Sequence, residues 1–298
     1  MNQPATSMHD AYAAYLSHVD KQHPTGNSIA QQALSILADA QTVSVLDIGS
    51  GNGEIFALLA DALRGSGKEV SATLIEPDSA NFSILSERFS RDRLTTLIHS
   101  SWSGNKFAAG SQFDVVVAAN IAYHFNDKRA LLSNLWALVA PGGMLCCTAA
   151  SGRTLGHPIY TQLLPSLLAH GAVSRTFGPH GEAACVEELL TATFNLSIPA
   201  RFIEIQSNLC LSPAEVQQGL LCLEQLGSAA ADPFCLCLSF ALRVNMQGLV
   251  DHAATLRGFA HGQGWASRGI VLAANEGQLF CHKEQHSDSN RRAARGTT

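Results

Sequence analysis

Residues 43–53 read VSVLDIGSGNG. The run from Val43 to Ile48 is apolar apart from Ser44 and Asp47, and it ends in three glycines, Gly49, Gly51 and Gly53. A run of this kind reads as a strand buried on both faces. Glycine at its carboxyl end permits a tight turn and a close approach of backbone to a ligand. Glu54 to Leu63 reads as a helix whose free N–H groups and positive dipole end aim at the same place. Outward from this unit, Val70–Ile75 is expected as a strand, Asn81–Phe89 as a helix and Thr95–His99 as a third strand. Phe113–Ala119 follows as a fourth strand, Lys128–Val139 as a helix and Gly143–Ala149 as a fifth strand. Such alternation calls for a parallel sheet covered on both faces. Ligands of these sheets bind outside the strand ends where the strand order reverses, and the first strand is the expected point of reversal.

The flanks follow other rules. After a loose start over residues 1–8, His9–His23 is expected as a helix with Tyr12, Tyr15 and Val19 on one face. Pro24, Gly26 and Asn27 break it, and Ser28–Ala40 forms the next helix. Beyond Ser151, helices are expected over Ile159–Ala169 and Val186–Thr193, and a strand over Arg201–Leu211. Ser212 before Pro213 signals a helix start, with the helix reaching about Leu226. Helices fill Phe234–Ala260. Gly269–Ala274 and Gln278–His282 read as a hairpin about an N-x-G turn. The segment after Lys283 reads as disordered.

Composition narrows the function classes. Of 298 residues, 46% are hydrophobic and 14% charged, with a net charge of -5. That balance supports a sizeable core and offers no basic patch for nucleic acid. The start, MNQPATSMHD, does not read as a secretory leader. The longest apolar run, Phe234–Leu242, is about half a membrane span, so no membrane association is expected. The eight cysteines form no C-x-x-C pair: Cys146 and Cys147 are adjacent, and Cys235 and Cys237 alternate. They read as small core residues of a reduced, cytoplasmic chain, and no metal is expected.

Glu76 ends the second strand, and a carboxylate there can accept both hydroxyls of a ribose. A glycine loop plus this acid implies a nucleoside-bearing cofactor. No lysine follows the glycines, against a P-loop. The spacing is G-x-G-x-G rather than the dinucleotide G-x-G-x-x-G, and Asp47 stands before the first glycine, where it can orient the loop and attract an ammonium group. Both features favour S-adenosylmethionine (SAM).

DIGSGNG followed by IEP resembles motifs one and two of the class I SAM-dependent methyltransferases. FDVVVAANIAYHF, then a helix, then LVAPGGMLCCTA, resembles their later motifs. The resemblance covers roughly residues 40–150. It implies a Rossmann-like, doubly wound, mostly parallel seven-stranded sheet. Asp47, Gly49, Ser50, Gly51, Gly53, Glu76 and Pro77 would then hold the cofactor, with Ser101, Trp102 and Ile121 near adenine and Asn120 near the methionine part. Over the whole chain, YAAYLSHVDKQH, GSGNGEI, AYHF and the final strands resemble the histamine N-methyltransferase-like family. That resemblance implies an N-terminal helical lid over residues 1–40 and a cofactor core over 41–150. It also implies pocket helices and terminal strands of the same domain over 151–284, and a tail over 285–298. Tyr12, Tyr15, Tyr123, His124, His157 and Tyr160 would face the substrate. Lys21 or Asp20 stands where that family has a glutamate, and Tyr123-His124 replaces paired tyrosines, so the expectation is a relative acting on some small molecule.

Methyl transfer from a sulfonium needs nucleophile, carbon and sulfur held in line, and no metal. A protonated amine must first lose a proton, and His124, just beyond the fourth strand, is the expected base, with Asn120 and Tyr123 beside it. Three alternatives stay open: a SAM-consuming cyclase or aminocarboxypropyl transferase of the azetidine-2-carboxylate synthase type, a non-catalytic SAM-binding module, and an NAD-dependent oxidoreductase. Oligomeric state is not encoded in these patterns.

Overall fold

A computed structural model describes residues 8–19, 22–103, 107, 110–150, 162, 163, 167, 179–242, 244, 246–273 and 276–284. They fall into two compact units. The sheet unit draws on residues 25–148, 188–203 and the segment from 278; the helical unit draws on residues up to 24, 149–187 and 204–277.

In the sheet unit, β1 (Thr42–Ile48), β2 (Glu69–Glu76), β3 (Thr95–His99), β4 (Phe113–Ala119) and β5 (Val139–Ala150) pair with one another in parallel. With β6 (Ala200–Ile205) and β9 (Glu276–His282) they form a seven-stranded sheet in the order β3-β2-β1-β4-β5-β9-β6. The order reverses between β1 and β4, so the switch point expected for β1 is present. Val43, Val45, Val70, Ala72, Leu74, Val115, Val117, Met144 and Cys146 turn one sheet face to three helices. These are α2 (Gln22–Ile36), α3 (Glu54–Gly65) and α4 (Ser79–Phe89), contributing Ile29, Ala33, Phe56, Leu59, Leu63, Leu85 and Phe89. The alternate residues Leu46, Ile48, Val116, Ala118, Leu145 and Cys147 are equally buried, as a sheet covered on both faces requires. Asp114 ties β4 to β1 by accepting from the Ser44 backbone N–H at 2.8 Å and its hydroxyl at 2.7 Å. Helix α5 (Lys128–Ala137) precedes β5.

The helical unit contains α1 (Met8–His18), the antiparallel pair β7 (Asn208–Leu211) and β8 (Ile270–Ala273), and α7 (Pro213–Cys222). It also contains α9 (Pro233–Leu242), α10 (Met246–Asp251), α11 (Ala253–Gly262) and α12 (Trp265–Arg268). Two more helices complete the described set: α6 (Pro179–Asn195), which runs from this unit into the sheet unit, and the short α8 (Leu226–Ala229). Its core gathers Val19, Leu209, Leu211, Val216, Phe234, Leu238, Leu249, Leu256 and Trp265. Among the described residues no helix is long and apolar enough to cross a membrane. Seven described cysteines are free thiols, five of them buried.

Three expectations need correction. Pro24 and Gly26 do not break a helix; they lie within α2, which starts at Gln22. Proline in a first turn forfeits no intrahelical bond. Gly26 is there because a Cβ would run into Leu58 of α3, 2.6 Å away. Arg201–Leu211 is two strands rather than one. β6 is a largely exposed edge strand, whereas Leu209 and Leu211 of β7 are buried in the other core. The terminal strands are not a hairpin. β8 pairs with β7, with Leu272 opposite Leu209, while β9, buried along nearly its whole length, lies between β5 and β6. Two-residue periodicity reports a strand but not which sheet it joins.

Candidate active site

The loop after β1 is held from β2. The Ile75 carbonyl accepts the N–H of Gly49 at 2.7 Å and of Ser50 at 3.0 Å, and Gly53 N–H closes back on the Ser50 carbonyl at 2.9 Å. Gly49 has φ 70°, and a Cβ there would collide with Ile121 Cγ2. Gly51, φ 55°, differs: apart from its own chain neighbours, nothing lies within 4 Å of where its Cβ would be. Gly53 is the residue before α3, and Asn52 Oδ1 accepts the Glu54 N–H at 3.1 Å.

Glu76 closes the loop from the side. One carboxylate oxygen accepts Gly51 N–H at 2.8 Å and the other accepts Asp78 N–H at 2.8 Å. Its carboxyl is buried, and burial raises its pKa against those two backbone bonds. Each oxygen keeps lone-pair capacity for a further donor. Pro77 is exposed beside it, and Asp78 caps α4 by accepting from Asn81 N–H at 2.9 Å.

Asp47, 2% exposed in β1, is the anomaly. Neither carboxylate oxygen has a hydrogen-bond partner. The Ser50 hydroxyl, which opposes the shift by its proximity, donates instead to the Asp47 backbone carbonyl at 3.0 Å. Burial pushes the carboxyl up to about 7, and the charge on Glu76 adds to the rise. Buried polar groups are nearly always satisfied, so a pair of orphaned oxygens at a strand end calls for a donor from outside the chain.

Asn120 directly follows β4, and its φ of 54° is rare for a residue with a side chain. Its N–H points to Thr148 on β5, to the carbonyl at 3.1 Å and to the hydroxyl at 3.0 Å. Ile121 is buried and packs over Gly49. A single 3-10 turn, Ala122–His124, then carries Tyr123 and His124, ring centroids 4.3 Å apart, with His124 exposed.

Residues 46–145 match the family model for a methyltransferase domain. This segment is a methyltransferase domain, and its cofactor is S-adenosylmethionine. No curated protein matches the chain significantly in sequence. Among solved structures, a protein of proposed methyltransferase activity from Bacillus halodurans aligns with 87% of this chain and 100% of its own. The identity is 9% and the TM-score 0.52, a likeness of fold. A SAM-dependent methyltransferase from Geobacter sulfurreducens, solved with S-adenosylhomocysteine, aligns with 92% of this chain and 98% of its own, at 15% identity and a TM-score of 0.49.

The methyltransferase domain therefore gathers Asp47, Gly49, Ser50, Gly51, Gly53, Glu76, Pro77, Asn120, Ile121, Tyr123 and His124 at the carboxyl ends of β1, β2 and β4. Ser101 and Trp102 follow β3; Trp102 is half-buried against Phe107, centroids 5.9 Å apart, which meets Phe113 at 5.3 Å. Tyr15 lies in the helical unit, against Phe240 at 4.7 Å. Tyr12 is on the same helix, α1. His157 and Tyr160, like Asp20 and Lys21, lie outside the described residues.

Sequence reading missed two residues here. His99 ends β3 in register with Glu76, stacks on Phe82 at 4.5 Å and 15°, and has Nε2 3.2 Å from the Pro77 carbonyl. A histidine closing an apolar strand beside the acid was the available signal. Thr148 gave none, because a threonine within a strand reads as ordinary.

Proposed function

We propose that the protein transfers a methyl group from S-adenosylmethionine to nitrogen of a small molecule, as a relative of the histamine N-methyltransferase-like family. The observation that carries the cofactor half of this reading is the pair of unpartnered Asp47 oxygens behind a loop whose middle glycine faces unfilled space. When bound, the cofactor would supply a sulfonium-activated methyl whose carbon an amine attacks in line, the C–S bond breaking to leave S-adenosylhomocysteine. Asp47 would draw its ammonium group, directly or through water, and Glu76 would accept its ribose hydroxyls. Gly49, Ser50, Gly51, Gly53 and Pro77 would shape the backbone around it, and Ile121, Ser101 and Trp102 would border adenine.

Asn120, Tyr123 and His124 stand on the turn next to that loop. His124 is the proposed base that takes the amine proton near neutral pH. Tyr12 and Tyr15 on α1, with His157 and Tyr160, are the proposed substrate-facing residues. The lid over 1–40, the pocket region over 151–284 and the tail over 285–298 belong to the same reading. So do a cytoplasmic location and the absence of nucleic-acid and membrane partners.

Calorimetric titration with S-adenosylhomocysteine and, separately, NAD tests the cofactor. Binding of the first and not the second is expected, and Glu76→Ala should weaken it at least tenfold. Incubation with SAM and a panel of biogenic amines tests the reaction. S-adenosylhomocysteine should accumulate only with an acceptor. Methylthioadenosine released from SAM alone would overturn methyl transfer in favour of cyclisation or aminocarboxypropyl transfer.

A further inference from the structure

Thr148 has no place in the chemistry above, yet it touches the residue on which that chemistry turns. It lies on β5 with 0% exposure, two residues beyond Cys146 and so on the same sheet face as Met144 and Cys146, which pack in the apolar core. Valine would fill this space as well; what threonine adds is an oxygen. That oxygen lies 3.0 Å from the Asn120 N–H, which also reaches the Thr148 carbonyl at 3.1 Å. Asn120 is one of two described non-glycine residues with positive φ. A left-handed residue persists only where its surroundings over-determine it, and its strain is comparable in size to one hydrogen bond.

The consequence runs along the chain. The left-handed turn at Asn120 sends Ile121 over Gly49, and the Ile121 carbonyl accepts the His124 N–H at 2.9 Å to close the turn that carries Tyr123 and His124. We infer that Thr148 is a positioning residue: its hydroxyl holds Asn120 left-handed, and thereby sets Asn120, Tyr123 and His124 against the cofactor loop. This inference rests on the function proposed above.

The test compares Thr148→Val, which keeps the shape and removes the oxygen, with Thr148→Ser, which keeps the oxygen. Hydrogen–deuterium exchange is followed over residues 118–125, and S-adenosylhomocysteine affinity is measured by calorimetry. Thr148→Val should lower protection of this segment roughly tenfold and weaken binding about fivefold, and Thr148→Ser should restore both to within twofold of the unaltered protein. Thr148→Ala is read in the same way if Thr148→Val does not fold. Wild-type protection and affinity in Thr148→Val would overturn the inference, as would a Thr148→Ser variant that behaves like Thr148→Val. If the unaltered protein fails to bind S-adenosylhomocysteine, the cofactor reading falls. The exchange comparison then decides by itself whether the hydroxyl holds the turn.

Discussion

Two carboxylates, one in each compact unit, have opposite surroundings. Glu215, in the helical unit, accepts from the Ser212 N–H at 2.7 Å and the Ser212 hydroxyl at 2.6 Å, and its other oxygen lies 3.0 Å from His18 Nε2. These bonds, the Ser212 hydroxyl first, pull its pKa down to about 2. The Ser212 hydroxyl also accepts Glu215 N–H at 3.3 Å, which completes a capping box at the start of α7. Asp47, in the sheet unit, has no partner for either oxygen and is pushed up to about 7 by burial. The satisfied acid stabilises a helix. The unsatisfied one costs stability, and such a cost is expected where a ligand completes the structure.

The contrast breaks most visibly at Asp47. Its folded pKa lies above the unfolded value of 3.8, so the native state binds more protons between about pH 4 and 7. Stability is therefore lost as pH rises through that window, by on the order of 4 kcal/mol. Asp47→Asn should regain about that much at pH 8 and almost nothing at pH 4 in urea unfolding, while S-adenosylhomocysteine binding is lost. Equal effects at the two pH values would refute a buried, proton-linked carboxyl.

Next in size are the glycines. Gly49→Ala meets both left-handed strain and Ile121, and should cost about 3 kcal/mol in thermal or chemical unfolding. Gly51→Ala meets the strain without the clash and should cost about 1 kcal/mol, yet impair S-adenosylhomocysteine binding because its methyl enters the open side of the loop. If Gly51→Ala binds normally, the ligand does not approach there.

Smallest is the capping box. Ser212→Ala should cost about 1 kcal/mol and leave S-adenosylhomocysteine affinity unchanged. Glu215 has a depressed pKa, so its contribution is present above its unfolded value of 4.5 and fades as pH falls toward 2. Glu215→Gln should flatten the acid limb of the stability profile by no more than about 1 kcal/mol, because the side chain is 39% exposed and screened.

The same contrast explains what could be read from the chain. The strands of the sheet unit through β5, the glycine loop and Glu76 announce themselves locally. Apolar runs, glycines at a strand end and an acid at the next strand end lie within a few dozen residues of each other. β8 and β9 are legible as strands, but the pairing of β7, β8 and β9 is not, because their partners lie far away in sequence. Glu76 was legible as a ligand acid but not as the clasp of its own loop, since backbone N–H groups leave no trace in composition. Thr148 was invisible for a related reason: its partner is the backbone of a residue 28 positions away.

The place of β9 has a consequence for biogenesis. The sheet admits this late strand between β5 and β6, both of which precede it in synthesis. Until residue 282 has left the ribosome, the two earlier strands lack the neighbour that joins them, and their backbone edges remain open to other chains. Such long-range closure slows folding. The nascent protein must therefore shield an interior strand slot, rather than an outer edge, while residues 206–282 are being made.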